Sequence, residues 1–390
     1  MSISPFGLLP LPLWGYFLVT FLTIQTMFLG VTLYLHRDQS HGGLILHPLL
    51  RHAFRFWLWF SSGVITREWV AVHRCHHTHA DRRGDPHSPL IFGLRRVLFE
   101  GAELYREAAR DRRLLERYGR GTPDDWLERH LYSARPYTGV VLFTLVHLAL
   151  FGVAGITMIA VHLAAMPFFA AGVINGLGHA VGYRSFEMPC TATNLLPWGL
   201  LLGGEELHNN HHAFPRSARF AVQPWEIDSG WLWVRLFSAL GLARVRWLAP
   251  RPRLALCRRE LDAETVKALF TNRLHVLRAY GRRVVVPVCR ELAQREPQGA
   301  LPAGAGKLLI RHPALLAEEA RRKLRELLER YEVLRGVVEY REGLQQLWNE
   351  TSANPARALA QLRDWCSRAE ASGIRALREF AQGLPAYART

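Results

Sequence analysis

Eighteen histidines are present in the chain, and half of them fall in four tight groups. His36-Arg-Asp-Gln-Ser-His41 is an H-x4-H pair, His73-Arg-Cys-His76-His77 and His208-Asn-Asn-His211-His212 are both H-x2-H-H, and Asn175-Gly-Leu-Gly-His179 closes an apolar stretch. Residues three and four apart share a helix face, so the first histidine of an H-x2-H-H motif lies beside both of the others. Two such helices facing each other would bring six imidazoles to one cavity. The H-x4-H spacing behaves differently, because five residues at roughly 100° each leave two side chains about 140° apart on a regular helix. They converge if the helix ends between them, and Gly42-Gly43 is a suitable stop. Neutral imidazole suits iron, copper, zinc and nickel; nine of them with no cysteine or evident carboxylate ligand point to a redox metal, and the count implies two. The other histidines, His147 and His162 within apolar stretches included, read as surface, interfacial or core residues.

These groups must be held by elements that the apolar pattern defines. With 390 residues, 49% hydrophobic and 21% charged, the chain is neither disordered nor fibrous. Residues 1–35 contain no Asp, Glu, Lys or Arg, and neither does the stretch between Arg135 and Arg184. Such blocks belong in lipid. Leu13 to Leu35 is long enough to cross a hydrocarbon core of about 30 Å, with Pro5, Pro10 and Pro12 keeping its lead-in irregular. Gly152 and Gly155 divide the second block into two spans, roughly 138–154 and 156–178. Leu49 to Ile65 is short and carries Arg51, His52 and Arg55, so it reads as an interfacial helix. It cannot cross, because His36, His41 and the group at 73–77 can meet only on one membrane face. The Arg-rich loop 67–135 and the basic tail are expected in the cytoplasm, the uncharged N-terminus outside. That N-terminus lacks a positive leading region and a small-residue cleavage site and reads as an anchor.

Net charge is +16, concentrated in the tail beyond residue 250. Five scattered cysteines (Cys75, Cys190, Cys257, Cys289, Cys366) form no CxxC pair, so neither a disulfide framework nor a structural zinc site is indicated. Residues 317–340 repeat Leu and Val at helical spacing among Arg and Glu, and read as one soluble helix.

The motifs HRDQSH, EWVAVHRCHHTHADRRGDPHSP, NGLGHAVGYR and EELHNNHHAFP, in that order, resemble the membrane-bound acyl-CoA desaturases of the stearoyl-CoA type in a bacterial form, over about residues 13–245. The resemblance implies an all-α membrane protein, a cone of transmembrane helices capped by a cytosolic helical domain. Here that means three spans plus one interfacial helix. It implies two Fe ions bound by His36, His41, His73, His76, His77, His179, His208, His211 and His212, with Asn175 holding a water on one of them. Arg74 matches a position that contacts coenzyme A phosphates, and Trp69 one near the acyl tunnel. The implied reaction is delta-9 desaturation of a saturated fatty acyl-CoA, with O2 as co-substrate and two hydrogens removed from neighbouring methylenes. Electrons are expected from an external donor (ferredoxin, rubredoxin or a b-type cytochrome, with its reductase), since neither terminus shows a haem-binding module. The expected location is the bacterial cytoplasmic membrane, multi-pass, among membrane lipid, with the active site facing the cytoplasm.

Residues 1–250 are thus expected to form the desaturase domain and 251–390 a basic helical extension. In the extension, LRDWCSRAEASGIRALREFA resembles a transposase C-terminus, yet no nucleic acid is expected as a partner, and a solvated helical bundle is the simplest reading. An acyl-lipid desaturase or a diiron hydroxylase would share the motif spacing. A metal transporter would need polar residues along the spans themselves, whereas the histidines cluster at span ends and in soluble segments.

Overall fold

A computed structural model describes residues 7–255, 260–295, 301–350 and 354–388; Pro5 and Cys257 lie outside them. The chain divides into two compact units, one comprising residues up to Arg184 with Cys190–Ala249, the other Ser185–Pro189 with Pro250 onward.

In the first unit, α1 (Leu13–Gly30) starts directly after Pro12, whose extended backbone holds the lead-in out of the helix. It runs without a break into a π-helix over Val31–Ser40, and Leu13–Ser40 together is long and apolar enough to cross a membrane. Next come α2 (Pro48–Ser62), α3 (Thr66–His79), α4 (Pro89–Phe92), α5 (Leu94–Ala109) and α6 (Arg112–Tyr118). Helix α2 opens on Pro48 and stops at Gly63, whose left-handed φ of 67° is a normal helix-ending conformation. Its charges are tied down: Arg51 forks onto Asp38 (2.6 and 2.6 Å) and Arg55 onto Asp125 (2.6 and 2.9 Å).

The apolar helices α7 (Pro136–Phe151) and α8 (Val153–Met166) form the expected hairpin, turning at Gly152 with φ 58°. A Cβ at Gly155 would sit 2.4 Å from the His147 carbonyl, so only glycine admits so close an approach. Helix α8 continues as a π-helix, Pro167–Ile174, and the apolar run Val153–His179 is the other segment long enough to span. Helix α7 is apolar but shorter. Helices α9 (His208–Ala213) and α10 (Ser229–Ala239) complete the unit. Short strand pairs pin the loops. Strand β1 (Leu44–Leu46) lies antiparallel to β4 (Ala243–Val245), and β2 (Trp198–Gly199) parallel to β3 (Ile227–Asp228). Met27, Leu33, Leu35, Leu44 and Val234 form a fully buried core around the C-terminal end of α1 and the π-helix that follows it.

The second unit is helical, with a short antiparallel pair joining Arg253–Leu254 to Tyr387–Ala388. Its core gathers Tyr280, Val284, Leu309, Leu334, Val337, Trp365 and Leu377. Residues 317–340, expected as one helix, are two: Glu318–Arg330 and Glu332–Glu350, separated at Tyr331, where the backbone is extended (φ −120°, ψ 98°). Helical spacing of Leu and Val survives such a break, because each piece buries apolar residues in the same core, Leu327 from the first and Leu334, Val337 and Val338 from the second.

Candidate metal centre

Nine histidine side chains converge into two clusters, each with its ligand atoms within 4.8 Å of one another: His36, His41, His73, His77 and His211, and His76, His179, His208 and His212. The six imidazoles of the two H-x2-H-H motifs, expected in one cavity, are therefore divided between two clusters. On α3, His73 and His77 go to the first cluster and His76 to the second; on α9, His208 and His212 go to the second and His211 to the first. In both helices the i,i+4 pair stays together and the residue between them turns to the neighbouring cluster.

The H-x4-H pair is solved by winding. Instead of ending between His36 and His41, the helix becomes π, and the His41 N–H donates to the His36 carbonyl at 3.2 Å. In i→i+5 winding, residues five apart come round to one face. The rings then lie 5.1 Å apart by centroid. His179 is delivered by the 3-10 turn Leu177–His179, just after the π-helix Pro167–Ile174.

The spacing fits metal ions. Within the first cluster, Nε2 atoms approach at 2.9 Å (His36–His211), 2.9 Å (His41–His73) and 2.8 Å (His77–His211). In the second the distances are 3.0 Å (His179–His208), 3.1 Å (His208–His212) and 3.3 Å (His76–His212). Two nitrogens each about 2.1 Å from an ion and at right angles to each other are about 3.0 Å apart. Burial, with the neighbouring imidazoles, holds His41, His73, His77, His208, His211 and His212 well below the ordinary imidazole pKa, so their lone pairs are free at neutral pH.

Three carboxylates absent from the sequence expectation stand behind the histidines. His36 Nδ1 donates to Glu205 (2.7 Å), His76 Nδ1 to Asp85 (2.9 Å) and His179 Nδ1 to Asp81 (3.0 Å). Each contact fixes the tautomer that leaves Nε2 unprotonated, and strengthens it as a ligand. Burial alone would raise the Asp85 carboxyl, but His76 and His87 outweigh it and hold the group down at about 2. Asp81 also accepts from Thr191 N, Thr191 Oγ1 and Ser88 Oγ, at 2.6, 2.9 and 2.7 Å. It does so from a left-handed backbone (φ 62°), the single non-glycine positive φ among the described residues. Glu205 is shared with Thr32 (2.6 Å), which accepts from the fully buried Arg37 (2.6 Å). Arg37 in turn pairs with Asp228 at 2.9 Å. The signal for these groups lay beside the histidine motifs, as DRRGDP after the second and Glu-Glu before the third.

Trp69 stacks on the His73 ring (4.9 Å, 16°) and meets His36 edge-on at 6.0 Å. Asn175 is half-buried at the end of the π-helix Pro167–Ile174, four residues before His179. Arg74 is engaged: its guanidinium donates to the carbonyls of Ser40 (2.9 Å), Gln39 (2.6 Å), Tyr118 (2.9 Å) and Arg120 (2.7 Å). Four of its five donors are used in joining the first histidine motif to the loop after α6.

A family model described as fatty acid desaturase matches residues 11–248, well over half of the chain. The chain belongs to the fatty acid desaturase family. Among curated relatives, this desaturase is 31% identical to delta-9 acyl-lipid desaturase 2 of Arabidopsis thaliana over 256 residues, covering 63% of this chain and 80% of the relative. It is 32% identical to the sn-1 stearoyl-lipid 9-desaturase of Synechocystis over 234 residues, 58% and 70% of the two chains. With acyl-CoA 5-desaturase AL21 of Anemone leveillei it shares 30% identity over 220 residues, 55% and 66%. A second family model, described as transposase, matches residues 267–389 of the desaturase chain.

Proposed function

We propose that this desaturase introduces a delta-9 double bond into a saturated long-chain fatty acyl group by means of two irons, one in each histidine cluster. The convergence of nine imidazoles into two groups at ligand spacing supports the reading above all. His36, His41, His73, His77 and His211 would hold one iron, and His76, His179, His208 and His212 the other, with Asn175 placing a water there. The pair supplies oxidation by O2, using electrons from a separate carrier.

The protein's own part is orientation and exclusion. A methylene chain has no polar handle near the reacting carbons, so position must come from shape. Trp69, flat against His73, gives an apolar wall directly beside the metal-binding rings. Asp81, Asp85 and Glu205 hold their histidines in one tautomer and take no proton from substrate. Residues 1–250 carry this activity, and 251–390 are a basic helical extension. In this reading α1, α7 and α8 cross the inner membrane of a bacterial cell, α2 lies at its interface, and the clusters face the cytoplasm.

The substrate's carrier divides two readings. Acyl-CoA, expected from the sequence, is supported by the exposed Arg82, Arg83, Arg95 and Arg96 near the second motif. Acyl lipid is favoured by Arg74, whose engagement with four carbonyls leaves little for a phosphate, and by the names of two of the relatives. Expression in a host lacking unsaturated-fatty-acid synthesis, followed by double-bond mapping, tests the reaction: no unsaturated product refutes it, and a hydroxylated product replaces it. Purified enzyme with a competent donor, offered stearoyl-CoA or stearoyl phospholipid in turn, decides the carrier.

A further inference from the structure

Helix α10 is largely apolar, with Arg235 its single charge. Gly230 and Val234 are buried on one side, while Leu232, Trp233, Leu236 and Leu240 are exposed on the other. The parallel pairing of Trp198 with Ile227 sets the segment 196–201 beside the strand that feeds this helix. Trp198, Leu200, Leu201, Trp233, Leu236 and Leu240 are each 43–62% exposed. Apolar surface of this extent on a protein marks a partner.

The level of this surface relative to the bilayer follows from contacts with α1. From Leu13, about 20 residues at 1.5 Å per residue consume a hydrocarbon core of about 30 Å, so the far boundary falls near Thr32 and Leu33. Thr32 Oγ1 donates to the Gly203 carbonyl at 3.2 Å, and Arg37 donates to the same carbonyl at 3.1 Å and to Asp228 at 2.9 Å. Asp228 caps α10 by accepting from Trp231 N at 2.9 Å. Leu200 and Leu201 lie two to three residues before Gly203, and α10 begins one residue after Asp228. Both are therefore anchored where lipid tails give way to headgroups.

We propose that residues 196–201 and α10 form a monotopic lip that embeds in the cytoplasmic leaflet, its partner being the acyl–headgroup boundary of the bilayer. The composition fits that depth. Tryptophan is enriched at this boundary, and the exposed Arg235 between Leu232 and Leu236 reaches headgroup phosphates while its stem lies along lipid. The proposal rests on the reading that Leu13–Ser40 spans the membrane.

The test is photocrosslinking of the full chain, purified and reconstituted into vesicles of phosphatidylethanolamine and phosphatidylglycerol. A benzophenone amino acid is placed singly at Leu201, Leu236, Phe17 on the exposed side of α1, and Glu116 on α6. Lipid adducts at Leu201 and Leu236 at least tenfold above Glu116, and comparable with Phe17, are expected. Adducts at Phe17 with Leu201 and Leu236 at the level of Glu116 overturn the lip and leave the span intact. Adducts of Leu201 or Leu236 to a second copy of this chain assign the surface to self-association and likewise overturn it. Absence of lipid at Phe17 overturns the span itself, a separate failure.

Discussion

The two histidine clusters are built from the same motifs but not in the same way. The first gathers five imidazoles with one carboxylate behind them, Glu205 on His36; the second gathers four with two, Asp81 on His179 and Asp85 on His76. Where one imidazole fewer is offered, one more anion stands behind those present. An anion hydrogen-bonded to Nδ1 pushes electron density toward Nε2 and makes the ring a stronger donor. The second cluster thus makes up in ligand strength what it lacks in number, and its negative surroundings favour the more highly charged state of a metal held there.

Removing a ring should have the largest effect. His211→Ala in the first cluster and His179→Ala in the second are each expected to abolish product, with the protein still found in the membrane, because apolar residues elsewhere drive insertion. Iron analysis sharpens the contrast, since each variant should lose about half the metal. Loss of both irons from either substitution would mean that the clusters fill as one unit, and normal desaturation would remove that residue from the site.

Substitution of the carboxylates comes next. Asp85→Asn or Asp81→Asn should weaken metal binding in the second cluster by about 10–100-fold, and Glu205→Gln should do the same in the first. Titration of metal-free protein with Co2+ while its absorption bands are followed reads the two sites separately. Equal weakening of both sites by any one variant would break the comparison.

Acid should unfold the metal-free chain more easily. Six cluster rings have pKa values held well below the ordinary imidazole value by burial, and four of them (His41, His73, His77, His211) belong to the first cluster. Such rings take up protons more readily when unfolded, so stability present above about pH 6.5 is lost as the pH falls below it. A melting midpoint that stays level from pH 8 to 5.5 would show these rings protonating without unfolding. Restoring metal should flatten the same profile.

The smallest effect is expected at Arg74. With four carbonyls to lose, Arg74→Ala should lower the melting midpoint by several degrees and leave KM for stearoyl-CoA within about twofold, since each hydrogen bond is worth roughly 0.5–1.5 kcal/mol net. A tenfold rise in KM with unchanged melting would return this residue to a phosphate.

The ligand types were legible because imidazoles at fixed spacing are rare enough to read directly. Their division between two clusters was not, because helical spacing says that His73, His76 and His77 share a side but not how far round each one points. The π winding was equally hidden: His36 and His41 look incompatible at 100° per residue, and nothing local in HRDQSH announces i→i+5 bonding. Asp81, Asp85 and Glu205 were passed over because they are not spaced as ligands. Their partners are the far nitrogens of rings up to 169 positions distant in the chain, as for His36 and Glu205. The apolar helices α1, α7 and α8 were legible at once, since long uncharged blocks show in composition.

A π-helix is inherently less favourable than an α-helix of the same sequence, and over Val31–Ser40 it brings His36 and His41 into the same cluster, where they would hold one ion together. Metal and helix winding are then linked equilibria in this segment. An ion that grips both rings resists rewinding, and a helix held in π form by the surrounding core presents the two rings already matched. Occupancy of the first cluster should therefore be audible in the backbone itself, as slower amide hydrogen exchange at Gln39, Ser40 and His41, some distance from any bond that the reaction breaks.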